Sequence, residues 1–335
     1  MGNLNYTMLD AEKLSTAEYY GKVLCDLAAK DPKIVGLSAD LAKSTKIGAL
    51  GALYENRLFN LGIAEQNMLG TAAGLASTGL IPFASTFSVF ASMRALDQLH
   101  TDICYQNLNV KIIATHGGLS FGQAGSTHHC TEDIGILRTM ANLRIIVPAD
   151  GMETANAVQA AYENCGPFYI RINRGYDMPV YESTDYDFQL GKAVKMHEGT
   201  DLTIIACGAC VWRAREAAKI LAAEGVQARV LNMHTIKPID KEAIAEAVRD
   251  TKRIITVEDH NIVGGLGSAV GDEMAQLGKP CLLRKLGVPD CFSIIGLHED
   301  LMSHYGYDTN GIVETAREIM GIEIEEDGSW DDDDF

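Results

Sequence analysis

The hydrophobic positions of this chain fall into short, nearly continuous apolar runs separated by stretches with helical spacing. That alternation is expected of buried parallel strands and the helices that cover them. Ser15-Thr16-Ala17-Glu18 forms a capping box that opens a helix to about Lys30, and a strand follows over Lys33–Ser38. Strands recur near Arg57, Ile81, Val110, Leu143 and Phe168 with helices between them, which predicts a parallel sheet. The stretch Tyr176–Gly199 changes character to Asp- and Tyr-rich turns and reads as a linker. A second block runs through a strand at Asp201–Ala206, a helix at Val211–Glu224 and a strand at Gln227–Asn232. It continues with a helix at Asp240–Asp250, a strand at Arg253–Val257, a helix at Ser268–Leu277 and a strand at Cys281–Leu286. No internal repeat is visible. The fold class expected is α/β, as two consecutive alternating domains: an extension at 1–14, a first domain at 15–180, a linker at 181–199, a second domain at 200–322 and a tail at 323–335.

One segment of the first block carries a chemical signal. In Gly62-Ile63-Ala64-Glu65-Gln66-Asn67-Met68, Glu65 follows the expected strand Arg57–Asn60 and starts an apolar helix, Ala64–Ser77. Carboxylates on strand-to-helix turns lie where parallel α/β domains bind ligands. The helix behind Glu65 is almost free of charge, and no basic residue is near in sequence. A buried, electrically lonely Glu is expected there, with a raised pKa that suits a hydrogen-bond donor. The plainer alternative is a Glu that favours the helix dipole. Further on, Phe87 and Phe90 share a face at the start of an expected helix, Ser88–Tyr105. The apolar strand Ile112–Thr115 ends in His116 and a Gly-rich loop, Gly117–Gly125, closed by Ser126-Thr127-His128-His129. A loop of this kind, bracketed by histidines, reads as a ligand site.

The chain of 335 residues carries a net charge of −17, of which the tail after Ile322 holds eight acids and no base. That composition predicts disorder in the tail and leaves an ordinary charge on the remainder. No basic patch interleaved with aromatics supports nucleic-acid binding. The absence of a signal-peptide pattern and of a long apolar run, with eight scattered cysteines, leads to the expectation of a cytoplasmic protein in a reducing compartment.

Taken in order, several segments resemble the C-terminal half of a transketolase made as a separate polypeptide. They are Leu37-Ser38-Ala39-Asp40-Leu41, Gly62-Ile63-Ala64-Glu65-Gln66, Ser85-Thr86-Phe87 with Phe90, Thr115-His116, and Ser126-Thr127-His128. Val147-Pro148-Ala149-Asp150, Arg171-Ile172-Asn173-Arg174-Gly175 and Val257-Glu258-Asp259-His260 complete the set. The resemblance implies a pyrimidine-binding fold followed by a transketolase C-terminal fold. It implies a thiamine-diphosphate enzyme that passes a two-carbon ketol unit from a ketose donor to an aldose acceptor. This half would hold the aminopyrimidine of the cofactor. A partner, the N-terminal-half subunit, would hold the diphosphate with Mg²⁺ or Ca²⁺ in an α2β2-type assembly, since no Gly-Asp-Gly metal segment with a spaced Asn is present here.

The residue roles implied are equally specific. Glu65 would bond the pyrimidine N1′, Phe87 and Phe90 would stack on the ring, and Asp40 would lie beside the thiazolium. His116 and His128 would contact substrate oxygens and exchange protons, while Ser44 and Arg174 would hold the substrate's terminal anion. Two positions depart from the family. Ala17 stands where one of two phosphate-binding arginines is usual, and Gln123-Ala124 stands where an acidic pair selects the donor hydroxyl. The departure leads to the expectation of a non-standard donor sugar, branched, deoxygenated or sulfonated. A β subunit of a 2-oxo acid dehydrogenase and a non-catalytic regulatory homologue are the alternatives. The Thr127-His128 loop and Arg174 argue against the first, and the joint retention of Glu65, both Phe and both His argues against the second. Cys207-Gly208-Ala209-Cys210 has the spacing of a redox pair, but the resemblance makes it a tight turn. Gly264-Gly265-Leu266-Gly267 is half of a dinucleotide fingerprint without its final glycine and acidic partner.

Overall fold

The computed structural model describes residues 14–175 and 177–322. Most of the extension at 1–14 and the whole acidic tail at 323–335 therefore lie outside the described residues. Among the described residues, twelve strands form two sheets. The first block supplies β1 (Ile34–Ser38), β2 (Leu58–Asn60), β3 (Ile81–Phe87), β4 (Lys111–Thr115), β5 (Arg144–Ile146) and β6 (Phe168–Arg171). The second supplies β7 (Val194–His197), β8 (Leu202–Ala206), β9 (Ala228–Asn232), β10 (Thr235–Lys237), β11 (Arg253–Asn261) and β12 (Leu282–Val288).

The first sheet has the order β10-β5-β6-β4-β3-β1-β2 and is parallel apart from β10. Its central strands are buried along their whole length, as their unbroken apolar runs require. The second sheet has the order β12-β11-β8-β9-β7, with β7 antiparallel to β9. The helix Thr16–Lys30 begins on the expected capping box: Ser15 N–H and Oγ donate to the Glu18 carboxylate at 2.7 and 2.9 Å. Val23, Leu24 and Leu27 turn from it into the core. Among the described residues no helix is long and apolar enough to cross a membrane.

The structure differs from the sequence reading at three elements. The stretch read as a linker contains β7, which closes the edge of the second sheet. β10 leaves the second block to pair with β5, so the first sheet borrows a strand from the second block. The helix expected over Ser88–Tyr105 is instead two π-helical segments, Phe90–Arg94 and Gln98–Cys104. Such wide turns concentrate at functional sites.

The two blocks are joined by a buried polar clamp. Arg171 at the end of β6 donates to Asp133 Oδ2 at 2.9 Å, to the Cys130 carbonyl at 2.9 Å and to the Asp259 carbonyl at 2.8 Å. The Asp259 carboxylate accepts from Leu119 N–H at 3.0 Å, Tyr307 Oη at 3.0 Å and His298 Nε2 at 2.9 Å. Burial works to raise the Asp259 pKa, but His298, Arg171 and the Leu119 amide outweigh it and hold the group down at about 2. The Gly-rich loop of the first block is thereby tied to the second.

The two doubtful motifs resolve into packing. Cys207 and Cys210 are buried free thiols, and burial pushes both pKa values up, the opposite of a reactive pair. Gly208 between them has φ +58° and donates its N–H to the Val147 carbonyl at 3.2 Å, so the segment is a tight turn. The glycine-rich turn opens the helix Leu266–Leu277, and its amides at Leu266 and Gly267 donate to the Glu258 carboxylate at 2.6 and 2.8 Å. A Cβ on Gly265 would stand 1.9 Å from Glu258 Oε2. The place where a dinucleotide phosphate would sit is filled by the chain's own Glu258.

Candidate active site

The candidate residues gather at the carboxyl ends of the parallel strands, where open α/β sheets place their ligands. Asp40 follows β1, Glu65 follows β2, Phe87 ends β3, His116 follows β4 and Arg174 follows β6.

Glu65 is the first residue of the helix Glu65–Ser77, and only 4% of its surface is exposed. Ala64 precedes it and provides no side-chain cap, while Gly62, at φ +75°, makes the turn from β2. The carboxylate opens on a cavity of about 680 Å³ lined by Ile63, Ala64, Gln66, Asn67 and Arg94. The expectation of an electrically lonely Glu fails here. Arg94 Nη1 lies 3.2 Å from Glu65 Oε1, brought from 29 residues downstream by the first π-helical segment. The same guanidinium lies 3.8 Å from the centroid of the Phe90 ring. A contact set by tertiary folding leaves no trace in local sequence.

The aromatic pair is assembled as expected. Phe87 and Phe90 stack with centroids 5.7 Å apart and planes at 23°. His116 stacks on Phe87 at 3.8 Å, and His128 stands edge-on to Phe90 at 5.4 Å. Phe121, which the sequence did not single out, fills the gap between the histidines at 5.2 Å from His116 and 5.8 Å from His128. Nδ1 of His116 is bonded to Thr115 Oγ1 at 2.9 Å, and Nδ1 of His128 to Thr127 Oγ1 at 3.0 Å. Each Thr-His pair so orients its ring, and among the described contacts neither Nε2 makes a hydrogen bond. His116 has φ +61°, a conformation costly for a non-glycine residue and one that turns its side chain over the strand end. Burial, then the nearby charges of Arg174 and His128, push its pKa down to about 3. It is therefore neutral at physiological pH.

Beyond His116 lies a second cavity of about 710 Å³. Ser44, Arg174, Asn173 and Ala17 line it, together with two cations the sequence reading missed, Lys43 and Lys46. Lys46 is held by Glu18 at 3.3 Å, while Lys43 is exposed and enters no ion pair among the described residues. The Arg174 guanidinium rests 4.6 Å over the Phe121 ring, which joins this cleft to the aromatic cluster. Asp40 stands apart from that cluster. It is exposed, has φ +61°, and exchanges hydrogen bonds with the Asn60 side chain at 2.9 and 3.2 Å. Gln123 and Ala124 sit on a 3-10 turn whose end is fixed by Ser126 Oγ donating to the Ser293 carbonyl at 2.6 Å.

The geometry fits one face of a flat nitrogen heterocycle. A buried carboxyl, a stacked aromatic wall and an adjoining cationic cleft with the neutral imidazole of His116 lie in sequence along one sheet edge. Among the described residues, no group of three or more His, Cys, Asp or Glu side chains is arranged to hold a metal ion.

Comparison with known proteins agrees with this arrangement. Residues 12–176 match the family model of the transketolase pyrimidine binding domain, and residues 191–312 match that of the transketolase C-terminal domain. One of the subunits of the apulose-4-phosphate transketolase of Phocaeicola vulgatus is 39% identical, over 89% of this chain and 95% of its own length. The 6-deoxy-6-sulfo-D-fructose transketolase subunit of a Clostridium species is 37% identical, over 90% of this chain and 92% of its own. A solved split-gene transketolase, described as an inactive β4 tetramer, superposes with a TM-score of 0.83 at 42% identity, covering 93% of this chain and 99% of that one. With both domains matched in order and relatives of similar length aligned nearly end to end, this chain belongs to the transketolase family, as the pyrimidine-binding and C-terminal domain pair of a split enzyme.

Proposed function

We propose that this chain, assembled with a partner that binds the diphosphate and metal, transfers a two-carbon ketol unit from a ketose to an aldose. The observation that carries the reading is the continuity of the Glu65–Phe90 slot, the His116–His128 pair and the Lys43–Ser44–Arg174 cleft along one sheet edge. Thiamine diphosphate, when bound, supplies the carbon nucleophile that cleaves and re-forms the bond beside a carbonyl. Glu65 holds the N1′ edge of its pyrimidine, and Phe87 and Phe90 provide the stacking wall.

His116, neutral because it is buried, accepts or donates a proton at Nε2 toward the donor's oxygens. His128 does the same from the loop side. Arg174, with Ser44 and Lys43, holds the terminal anion of the donor through charge-assisted hydrogen bonds. Asp40, exposed on the turn after β1 and held by Asn60, supplies a negative charge that would favour a cationic ring bound on that side. Lys43 stands in for the cation missing at Ala17. The anion is therefore approached from the turn after β1 instead of from the first helix.

The lack of an acid at Ala124 removes one means of selecting the donor's hydroxyl configuration. With the changed cation set, this supports a non-standard donor. Relatives of similar length are named for apulose 4-phosphate and for 6-deoxy-6-sulfo-D-fructose, and their likeness to this chain supports a sugar of that kind. The test reconstitutes the chain with its partner and compares branched, sulfonated and ordinary ketose phosphates as donors, alongside Ala124→Asp. A higher kcat/KM on a branched or sulfonated donor is expected. Preference for xylulose 5-phosphate with ordinary stereoselectivity would leave a plain split transketolase. Transfer to a lipoyl acceptor would instead identify a 2-oxo acid dehydrogenase.

A further inference from the structure

The contacts of Arg94 have a geometry that the catalytic roles leave unexplained. Its guanidinium is planar, lies 3.8 Å from the Phe90 ring centroid, and places Nη1 3.2 Å from Glu65 Oε1. A flat, delocalised group lying over the Phe90 ring and donating to Glu65 makes the same two contacts that an aminopyrimidine would make there. We propose that Arg94 is the resident occupant of the aminopyrimidine slot, and that the cofactor enters by displacing it. The proposal rests on the assignment of Glu65 and Phe90 to the cofactor.

Three features favour displacement over permanent residence. The Arg94 side chain is 48% exposed, and among the described contacts only Glu65 and Phe90 hold it. With the guanidinium half in solvent, its ion pair and its cation–π contact are both screened on the Arg94 side and readily exchanged. Arg94 ends the π-helical segment Phe90–Arg94 and is followed by Ala95 with φ −118° and ψ 27°, outside regular helix, so its stem lies at a break in the helical hydrogen bonding. The cavity that Arg94 lines already measures about 680 Å³, which leaves room for the side chain to swing aside.

Occupancy also answers a physical problem. Glu65 is 4% exposed, and a buried carboxylate with no partner is costly. Arg94 satisfies it while the slot holds no cofactor. The incoming pyrimidine then takes over both the hydrogen bond and the stack. Loading is an exchange of one planar partner for another, and the arginine competes with the cofactor at every encounter.

The experiment uses calorimetry and stopped-flow to titrate thiamine diphosphate into the cofactor-free complex of this chain with its partner, for the parent and for Arg94→Ala. Removing a competitor held by two weak contacts should tighten the dissociation constant roughly three- to tenfold and raise the association rate. Arg94→Lys, which keeps the charge but loses the plane, should fall between. Phe90→Ala and Glu65→Gln are measured in parallel and should weaken binding. Unchanged or weaker binding in Arg94→Ala, with Phe90→Ala and Glu65→Gln weakened as expected, would overturn the resident role and make Arg94 a bystander or a cofactor ligand. If Phe90→Ala and Glu65→Gln leave binding unchanged, the assignment of the slot itself falls, whatever Arg94 does.

Discussion

Glu65→Gln separates catalysis from folding more cleanly than any other change in this site. Gln has the same length and nearly the same volume, and the position is the first residue of a helix whose packing is made by Met68, Leu69, Ala72 and Ala73. In the folded chain the substitution removes one ion pair, to an Arg94 that is 48% exposed. With Arg94 half in solvent the pair is screened to about 1 kcal/mol, and the neutral Gln leaves no buried charge unpaired, so the unfolding midpoint should move little. Turnover should respond differently. If Glu65 controls the protonation pattern of the pyrimidine, its loss removes a proton-transfer contribution of about 10²–10⁴-fold, or roughly 3–5 kcal/mol of barrier.

The assay is ketol transfer by the reconstituted pair at saturating thiamine diphosphate, beside thermal unfolding of the same preparations. The expected outcome is a loss of at least about 10²-fold in kcat with a change in stability below about 1 kcal/mol. Turnover within a few-fold of the parent, at demonstrated cofactor saturation, would remove Glu65 from the mechanism. A large loss of stability would show that the carboxylate serves the fold instead.

Other perturbations probe the remaining parts of the site. Lys43→Ala should raise KM for an anionic donor about 5- to 20-fold with a smaller effect on kcat, and added salt should shrink the difference; an unchanged KM would exclude Lys43 from the anion cleft. Gly118→Ala places a Cβ 2.1 Å from Asp259 Oδ2 at a φ of +60°, and unfolding by denaturant should show a loss of about 3 kcal/mol or more. Stability near the parent's would mean the loop and Asp259 are not rigidly joined. The pKa of His116 is lower in the fold, about 3 against an ordinary 6.5. Its contribution is therefore fully present above pH 6.5 and is lost as pH falls toward 3. Between pH 7.5 and 5 the parent should lose up to about 2 kcal/mol more than His116→Asn, measured by denaturant midpoints; equal losses would contradict a neutral, buried imidazole.

How much of this was legible in the sequence depended on the range of the interactions involved. The parallel strands were visible because β1, β4 and β8 are buried throughout and so need unbroken apolar runs. The capping box at Ser15 and the turn before Glu65 are local and were read to within a residue or two. The strands β7 and β10 were missed because each is a short antiparallel edge segment of mixed polarity, Val194–His197 and Thr235–Lys237. Their pairing energy comes from partners outside the local window. The site followed the same rule. Phe87 and Phe90 sit on a local motif and meet as expected, and the fold sets His116 and His128, also on local motifs, against them. The Arg94–Glu65 pair spans 29 residues, and Lys43 looked like any surface lysine until the fold set it in a cleft with Arg174.

The second domain bears on the site in a way that its sequence did not suggest. The residues that gather around Glu65, the two Phe and the two His all come from the first block, as do those lining the cationic cleft. What the second block provides is a hold on the loop that carries them. Asp259, at the far end of β11, binds Leu119 N–H on one side and His298 and Tyr307 on the other. Arg171 then carries the connection back to Asp133 and the Cys130 carbonyl, at the other end of the same loop. Both ends of the segment between His116 and His128 are thus fixed by one buried, fully bonded network. Buried networks of this kind gain their strength from mutual polarisation and lose much when one member goes unpaired. A histidine pair held in one fixed geometry needs such support, because a Gly-rich loop alone samples many conformations. The Val257-Glu258-Asp259-His260 segment therefore positions the loop that carries both histidines, although none of its side chains lines the cleft.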